Sequence, residues 1–136
     1  MAVSAPAVGV LTVDDSERFL RAAHDLISAT PGFRVVGAAA SGVECLAAAQ
    51  RLHPDLVLLD VRMPAMDGIE TARRLSAARP RTVIVLVSAE DAVDLPSAAR
   101  ACGASALVRK QDLRPALLRR LWDVHAPSAE SDTPAR

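Results

Sequence analysis

Leu56 to Leu59 is an unbroken apolar run that ends in a carboxylate, Asp60. Such a run bounded by turn residues describes a strand buried on both faces. A charge at its tip costs several kcal/mol unless something compensates it, so Asp60 is either paired or employed. Pro64 disfavours helix just before it, and Asp67-Gly68-Ile69-Glu70 reads as a helix cap with an acid three positions on, which puts Asp60 on a strand-to-helix loop. In open α/β sheets ligands bind along that edge. Other strand-like runs end in groups that could share the site: Val8 to Val13 in Asp14 and Asp15, Thr82 to Val87 in Ser88, and Ala104 to Val108 in Arg109 and Lys110. Three carboxylates brought together repel unless a cation intervenes, and magnesium, a hard ion that takes oxygen ligands, fits them. Ser88 offers a hydroxyl, and Lys110, the single lysine in a chain whose other basic side chains are arginine, offers a compact mobile ammonium. Carboxylate nucleophile, metal, hydroxyl and ammonium together suit in-line phosphoryl transfer, where positioning and electrostatics do most of the catalysis.

The elements that must position these groups alternate along the chain. After Asp15, Ser16 caps a helix with Phe19, Ala23, Leu26 and Ile27 at helical spacing, stopped by Thr30-Pro31-Gly32. Phe33 to Ala40 is a weaker, edge-like strand, and Ser41-Gly42-Val43-Glu44 opens a second helix with Leu46 and Ala47 inward. A third helix runs from Gly68, with Ile69, Ala72, Leu75 and Ser76 on one face, to Arg79-Pro80. Between Ala89 and Cys102 a fourth helix is expected to be short or late-starting, because Pro96 is tolerated only in a first turn. Asp112 is expected to cap a last helix with Leu113, Leu117, Leu121 and Val124 inward. Strands alternating with helices in this way imply a parallel sheet covered on both faces, with right-handed crossovers.

The 136 residues suggest one domain over residues 8–125, with a flexible start at 1–7 and a disordered tail at 126–136. Half the residues are hydrophobic and very few are aromatic, so the core is built from Val, Leu, Ile and Ala. A formal net charge of zero gives no reason to expect direct contact with nucleic acid or an anionic membrane. No window resembles a membrane span or a signal peptide, which points to the cytoplasm. Cys45 and Cys102 fall on separate helices without metal-ligand spacing, as buried thiols would. His24, His53 and His125 are scattered and are assigned no chemistry.

The motifs VDD at Val13 to Asp15, DVRMPAMDG at Asp60 to Gly68, SA at Ser88 and Ala89, and GASALVRK at Gly103 to Lys110 are each weak alone. In this order the chain resembles a receiver domain of bacterial two-component response regulators. The resemblance covers about residues 8–125 and implies a flavodoxin-like (βα)5 fold: a doubly wound, five-stranded parallel sheet of strand order 2-1-3-4-5. It implies that Asp60 accepts a phosphoryl group from the phosphohistidine of a sensor histidine kinase or phosphotransfer protein. Asp15 and Asp60 would bind magnesium directly, Asp14 through water, and the main-chain carbonyl of Arg62 would complete the ligands. Ser88 and Lys110 would hold phosphoryl oxygens. Arg62 and Glu90, each two residues past a site residue, match positions that tune phosphoryl lifetime; they are expected to approach each other and restrict the attacking water.

The sequence also departs from the family pattern. Leu107 stands where an aromatic switch residue is usual, and Gln111 follows Lys110 where proline is common, so no cis bond is expected there. Leu107, Leu118 and Trp122 are expected either to form a partner patch, or a homodimer surface made by the fourth helix, fifth strand and fifth helix, or to pack against the last helix's own neighbours. An aspartate-nucleophile phosphatase would want an acid at position 62, and a flavin binder a phosphate cradle where Asp14 and Asp15 stand. The sequence therefore predicts a stand-alone, non-enzymatic signalling domain that controls a downstream protein target. The alternatives are a receiver-like binding module that acts without phosphorylation and the receiver fragment of a DNA-binding regulator.

Overall fold

The computed structural model describes residues 6–127; the expectations for residues 1–5 and 128–136 lie outside them. Its apolar runs form five parallel strands, β1 (Val8–Val13), β2 (Phe33–Ala39), β3 (Leu56–Asp60), β4 (Val83–Ser88) and β5 (Ala106–Arg109), in the order β2-β1-β3-β4-β5. This is the flavodoxin-like sheet expected from the sequence. The central strands are continuous in apolar residues because both of their faces are covered. Helices α1 (Glu17–Ser28) and α4 (Pro115–His125) cover one face, where Val10, Ile27, Leu56, Leu58, Val85, Leu118 and Leu121 pack. Helices α2 (Gly42–Leu52) and α3 (Gly68–Ala78) cover the other, where Leu11, Cys45, Ala49, Val57, Leu59, Ala72, Leu75 and Leu86 pack.

The cap residues do what their spacing predicts. The side chains of Ser16, Ser41 and Asp67 accept hydrogen bonds from the amides of Phe19, Glu44 and Glu70. Each satisfies an orphan donor at a helix start, a contribution of about 1 kcal/mol. Both cysteines are buried and free, and burial pushes the Cys45 thiol up to about 12.

Local expectations fail in a few places. Ala89 to Cys102 contains no α-helix; two 3-10 turns, Ala92–Asp94 and Ser97–Arg100, take its place. Pro96 has no amide to donate and leaves Leu95 extended (φ −97°, ψ 153°), so the turns cannot merge. Asp112 caps nothing: Lys110–Asp112 is itself a 3-10 turn, and α4 starts at Pro115, whose fixed φ suits a first helical position. That start puts Leu118 inward and turns Val124 out to 65% exposure. In α2 the fully inward residues are Cys45, Ala48 and Ala49; Leu46 packs against the core as expected, but Ala47 faces solvent. The Lys110–Gln111 bond is trans, as expected.

Candidate acidic phosphoacceptor site

Parallel register alone brings the strand-end residues together. Val13 lies opposite Leu59, Asp60 opposite Val87, and Ser88 opposite Arg109. Asp14, Asp60, Ser88 and Lys110 therefore line one edge of the sheet, although 96 positions separate the first from the last. The start of α3 closes in behind Asp60: a Cβ on Gly68 would sit 1.9 Å from the Asp60 carbonyl oxygen, so only glycine fits there.

Carboxylate oxygens of Asp14, Asp15 and Asp60 lie within 4.8 Å of one another, with Asp14 and Asp60 buried and Asp15 exposed. Burial, reinforced by the neighbouring charge on Asp14, pushes the Asp60 carboxyl up to about 6, against the opposing pull of Lys110. The Arg62 amide donates a long hydrogen bond, 3.4 Å, to Asp60 Oδ1. Lys110 Nζ stands 2.7 Å from Asp14 Oδ2 and 3.7 Å from Asp60 Oδ1. Asp14 Oδ1 accepts from the Ser16 amide at 2.8 Å. Fully buried Oδ2 has no well-directed hydrogen bond, so its contact with Lys110 is an ion pair by proximity alone. Hard oxygen donors that converge, one of them lacking a directed partner, match what a divalent cation of the magnesium type requires.

Ser88 is buried, and its Oγ accepts from the Glu90 amide at 2.9 Å, which leaves the hydroxyl hydrogen free to donate. Arg62 and Glu90 meet as the sequence suggests: Nε to Oε1 is 2.6 Å and Nη2 to Oε2 is 3.3 Å. Both are substantially exposed, so the fork ties two loops at the mouth of the site and adds little to stability.

Leu107, Leu118 and Trp122 do not share one surface, and the expected alternative, packing against their neighbours, holds for them. Leu118 is fully buried and Trp122 packs beside it on the α1/α4 face, whereas Leu107 packs against the core on the opposite face. Alternation along β5 sends Leu107 one way, and the later start of α4 rotates Leu118 inward. The surface expected from a fourth helix has 3-10 turns in its place, with Arg109 bridging Asp91 at 2.6 Å and Asp112 at 3.3 Å.

Two features escaped the sequence reading. The ring of Phe19 lies under Lys110 Nζ, 4.5 Å from ammonium to centroid. Ala65, in the loop after Asp60, has φ 64°, a left-handed conformation that favours glycine. Phe19 carried a signal in being an aromatic residue one turn after the acid pair; Ala65 carried none.

Residues 10–121 match the family model of the response regulator receiver domain. Protein-glutamate methylesterase/protein-glutamine glutaminase 1 of Syntrophus aciditrophicus is 35% identical over 119 residues, which are 88% of this chain and 33% of that protein. The chain thus spans about a third of the length of that curated relative. Among solved structures, the signal receiver domain of the putative response regulator NarL from Mycobacterium tuberculosis superposes with TM-score 0.80 at 29% identity, covering 89% of this chain and 98% of that one. The CheX-CheY-BeF3-Mg+2 complex from Borrelia burgdorferi does so with TM-score 0.78 at 26% identity, covering 90% and 92%. With the strand order, the acid cluster and the family model in agreement, the chain belongs to the response regulator receiver domain family, the signalling domain of two-component systems.

Proposed function

We propose that Asp60 is the phosphoacceptor of this receiver and that phosphorylation controls its binding to a downstream protein. One observation carries the reading: a buried carboxylate at a strand tip has two further carboxylates and the chain's single lysine around it. In the transfer, an Asp60 oxygen attacks the phosphorus of a phosphohistidine on a kinase or phosphotransfer protein. The O–P bond forms as the P–N bond breaks, and the electron pair returns to the imidazole nitrogen. Lys110 and the Ser88 hydroxyl are placed to hold the phosphoryl oxygens as charge builds on them. Asp14, Asp15, Asp60 and the main-chain carbonyl of Arg62 would hold a magnesium ion, which would supply positive charge opposite the phosphoryl oxygens. That the similar Borrelia complex contains beryllofluoride and magnesium supports a phosphoryl and magnesium site here.

The test is intact-mass analysis after incubation with a small acyl phosphate and magnesium. Wild type should gain one phosphoryl group and Asp60→Asn none. An adduct of equal yield on both proteins, or none on wild type, would overturn the assignment.

The Arg62–Glu90 fork is placed to screen the acyl phosphate from water. Arg62→Ala and Glu90→Ala should each raise the dephosphorylation rate by about threefold to tenfold, because opening the mouth lets water reach the phosphorus. Decay of the adduct in both variants at the wild-type rate would remove the fork from the account.

A further inference from the structure

The contacts around Asp14 close on themselves. Asp14 Oδ1 accepts from the Ser16 amide (2.8 Å), Ser16 Oγ accepts from the Phe19 amide (3.2 Å), the Phe19 ring faces Lys110 Nζ (4.5 Å), and Nζ returns to Asp14 Oδ2 (2.7 Å). The cap fixes the backbone of Phe19 in the first turn of α1, and the ring is packed against the α1/α4 core, so the ring is a rigid partner for a flexible one. Lys110 comes from another element, the 3-10 turn after β5, on a stem with four rotatable methylenes.

The ammonium therefore has three attractive neighbours, of which two are carboxylates that also belong to the acid cluster. A divalent cation in that cluster would take up the charge of Asp14 and weaken its hold on the ammonium. The ring's quadrupole attraction would be unaffected, since it has no lone pairs to give a hard cation. The rest of the cleft beside the ring is apolar, formed by Ala22, Ala23, Leu26 and Leu113, with Gln111 its other polar side chain. We propose that Phe19 is a positioning residue: its ring holds the Lys110 ammonium at the site edge when the carboxylates are occupied, within reach of oxygens on a phosphorylated Asp60. The reach to phosphoryl oxygens rests on the phosphoacceptor reading; the hold on the ammonium does not.

The single lysine makes the test direct, because protein grown with carbon-13 lysine gives one set of side-chain signals. The Lys110 ε-protons should be shifted upfield by the Phe19 ring current, and the shift should persist or grow when magnesium is added. Phe19→Leu and Phe19→Met, which keep the apolar bulk, should return the signal to its free-lysine position. Each should also slow adduct formation from a small acyl phosphate at saturating magnesium by about threefold to tenfold, while Phe19→Trp should restore both readouts. A lysine signal that does not change in Phe19→Leu and Phe19→Met overturns the proposal. So does a folded Phe19→Trp that is as slow as Phe19→Leu, since packing alone would then explain the loss. If wild type forms no adduct, the phosphoacceptor reading fails by itself, and the lysine signal still decides whether the ring holds the ammonium.

Discussion

Lys110→Met is expected to lower the stability of the metal-free protein by about 3 kcal/mol at pH 7, and millimolar magnesium to restore part of the loss. Asp14 has a side-chain exposure of 1%, and Lys110 Nζ at 2.7 Å is the cation beside its orphaned oxygen. Removing one member of a buried pair leaves an uncompensated charge, typically a cost of about 3 to 5 kcal/mol. The lower end applies because the lysine is itself a quarter exposed, so solvent screens the pair and weakens what is lost. Methionine keeps the apolar stem over Phe19, which isolates the charge. A divalent ion that binds only the folded state restores stability by mass action. Urea denaturation of both proteins in chelator and in magnesium makes the measurement. Equal stabilities in chelator would mean that the pair contributes nothing, and a variant that magnesium does not rescue would mean that the acid cluster is not a cation site.

Asp60→Asn should do the opposite in the absence of metal. The Asp60 carboxyl is raised from 3.8 to about 6 in the folded protein, by burial first and by Asp14 second. Between those values the folded state holds a proton that the unfolded state has released. Stability contributed through this group therefore falls as pH rises from about 4 to 6 and is level above that. A shift of this size corresponds to about 2 to 3 kcal/mol, so the metal-free variant should exceed wild type by about 2 kcal/mol at pH 8. The difference should shrink towards zero near pH 4. With magnesium the order should narrow or reverse, because the variant has lost a carboxylate ligand. A variant less stable than wild type at pH 8 in chelator would show that the charge at position 60 is well compensated without metal.

The legible parts of this molecule were those in which one residue type has one physical use. Buried parallel strands have to be apolar on both faces, so the charges at their tips stand out in the sequence, and Asp14, Asp60, Ser88 and Lys110 could be placed at one edge before any coordinates. Ser16, Ser41 and Asp67 were readable as caps because few side chains accept from a helix's first amides. Where several elements can satisfy the same apolar pattern, the reading failed. Ala89 to Cys102 has enough alanine for a helix, and only the placement of Pro96 between two halves decides otherwise. A start of α4 three residues past Asp112 was enough to move Leu118 from the expected surface into the core. The Phe19–Lys110 contact joins elements far apart in the chain; the aromatic residue one turn after the acid pair was visible in the sequence, but its partner was not.

The most direct measurement is a crystal structure of the protein with magnesium and beryllofluoride, the latter standing in for the phosphoryl group. Beryllofluoride should lie on an Asp60 oxygen, with the Ser88 hydroxyl and Lys110 Nζ on its fluorines. Magnesium should sit at about 2.0 to 2.1 Å from oxygens of Asp15 and Asp60. Density showing Asp60 unmodified, with Lys110 still on Asp14 and the magnesium elsewhere, would contradict the phosphoacceptor assignment.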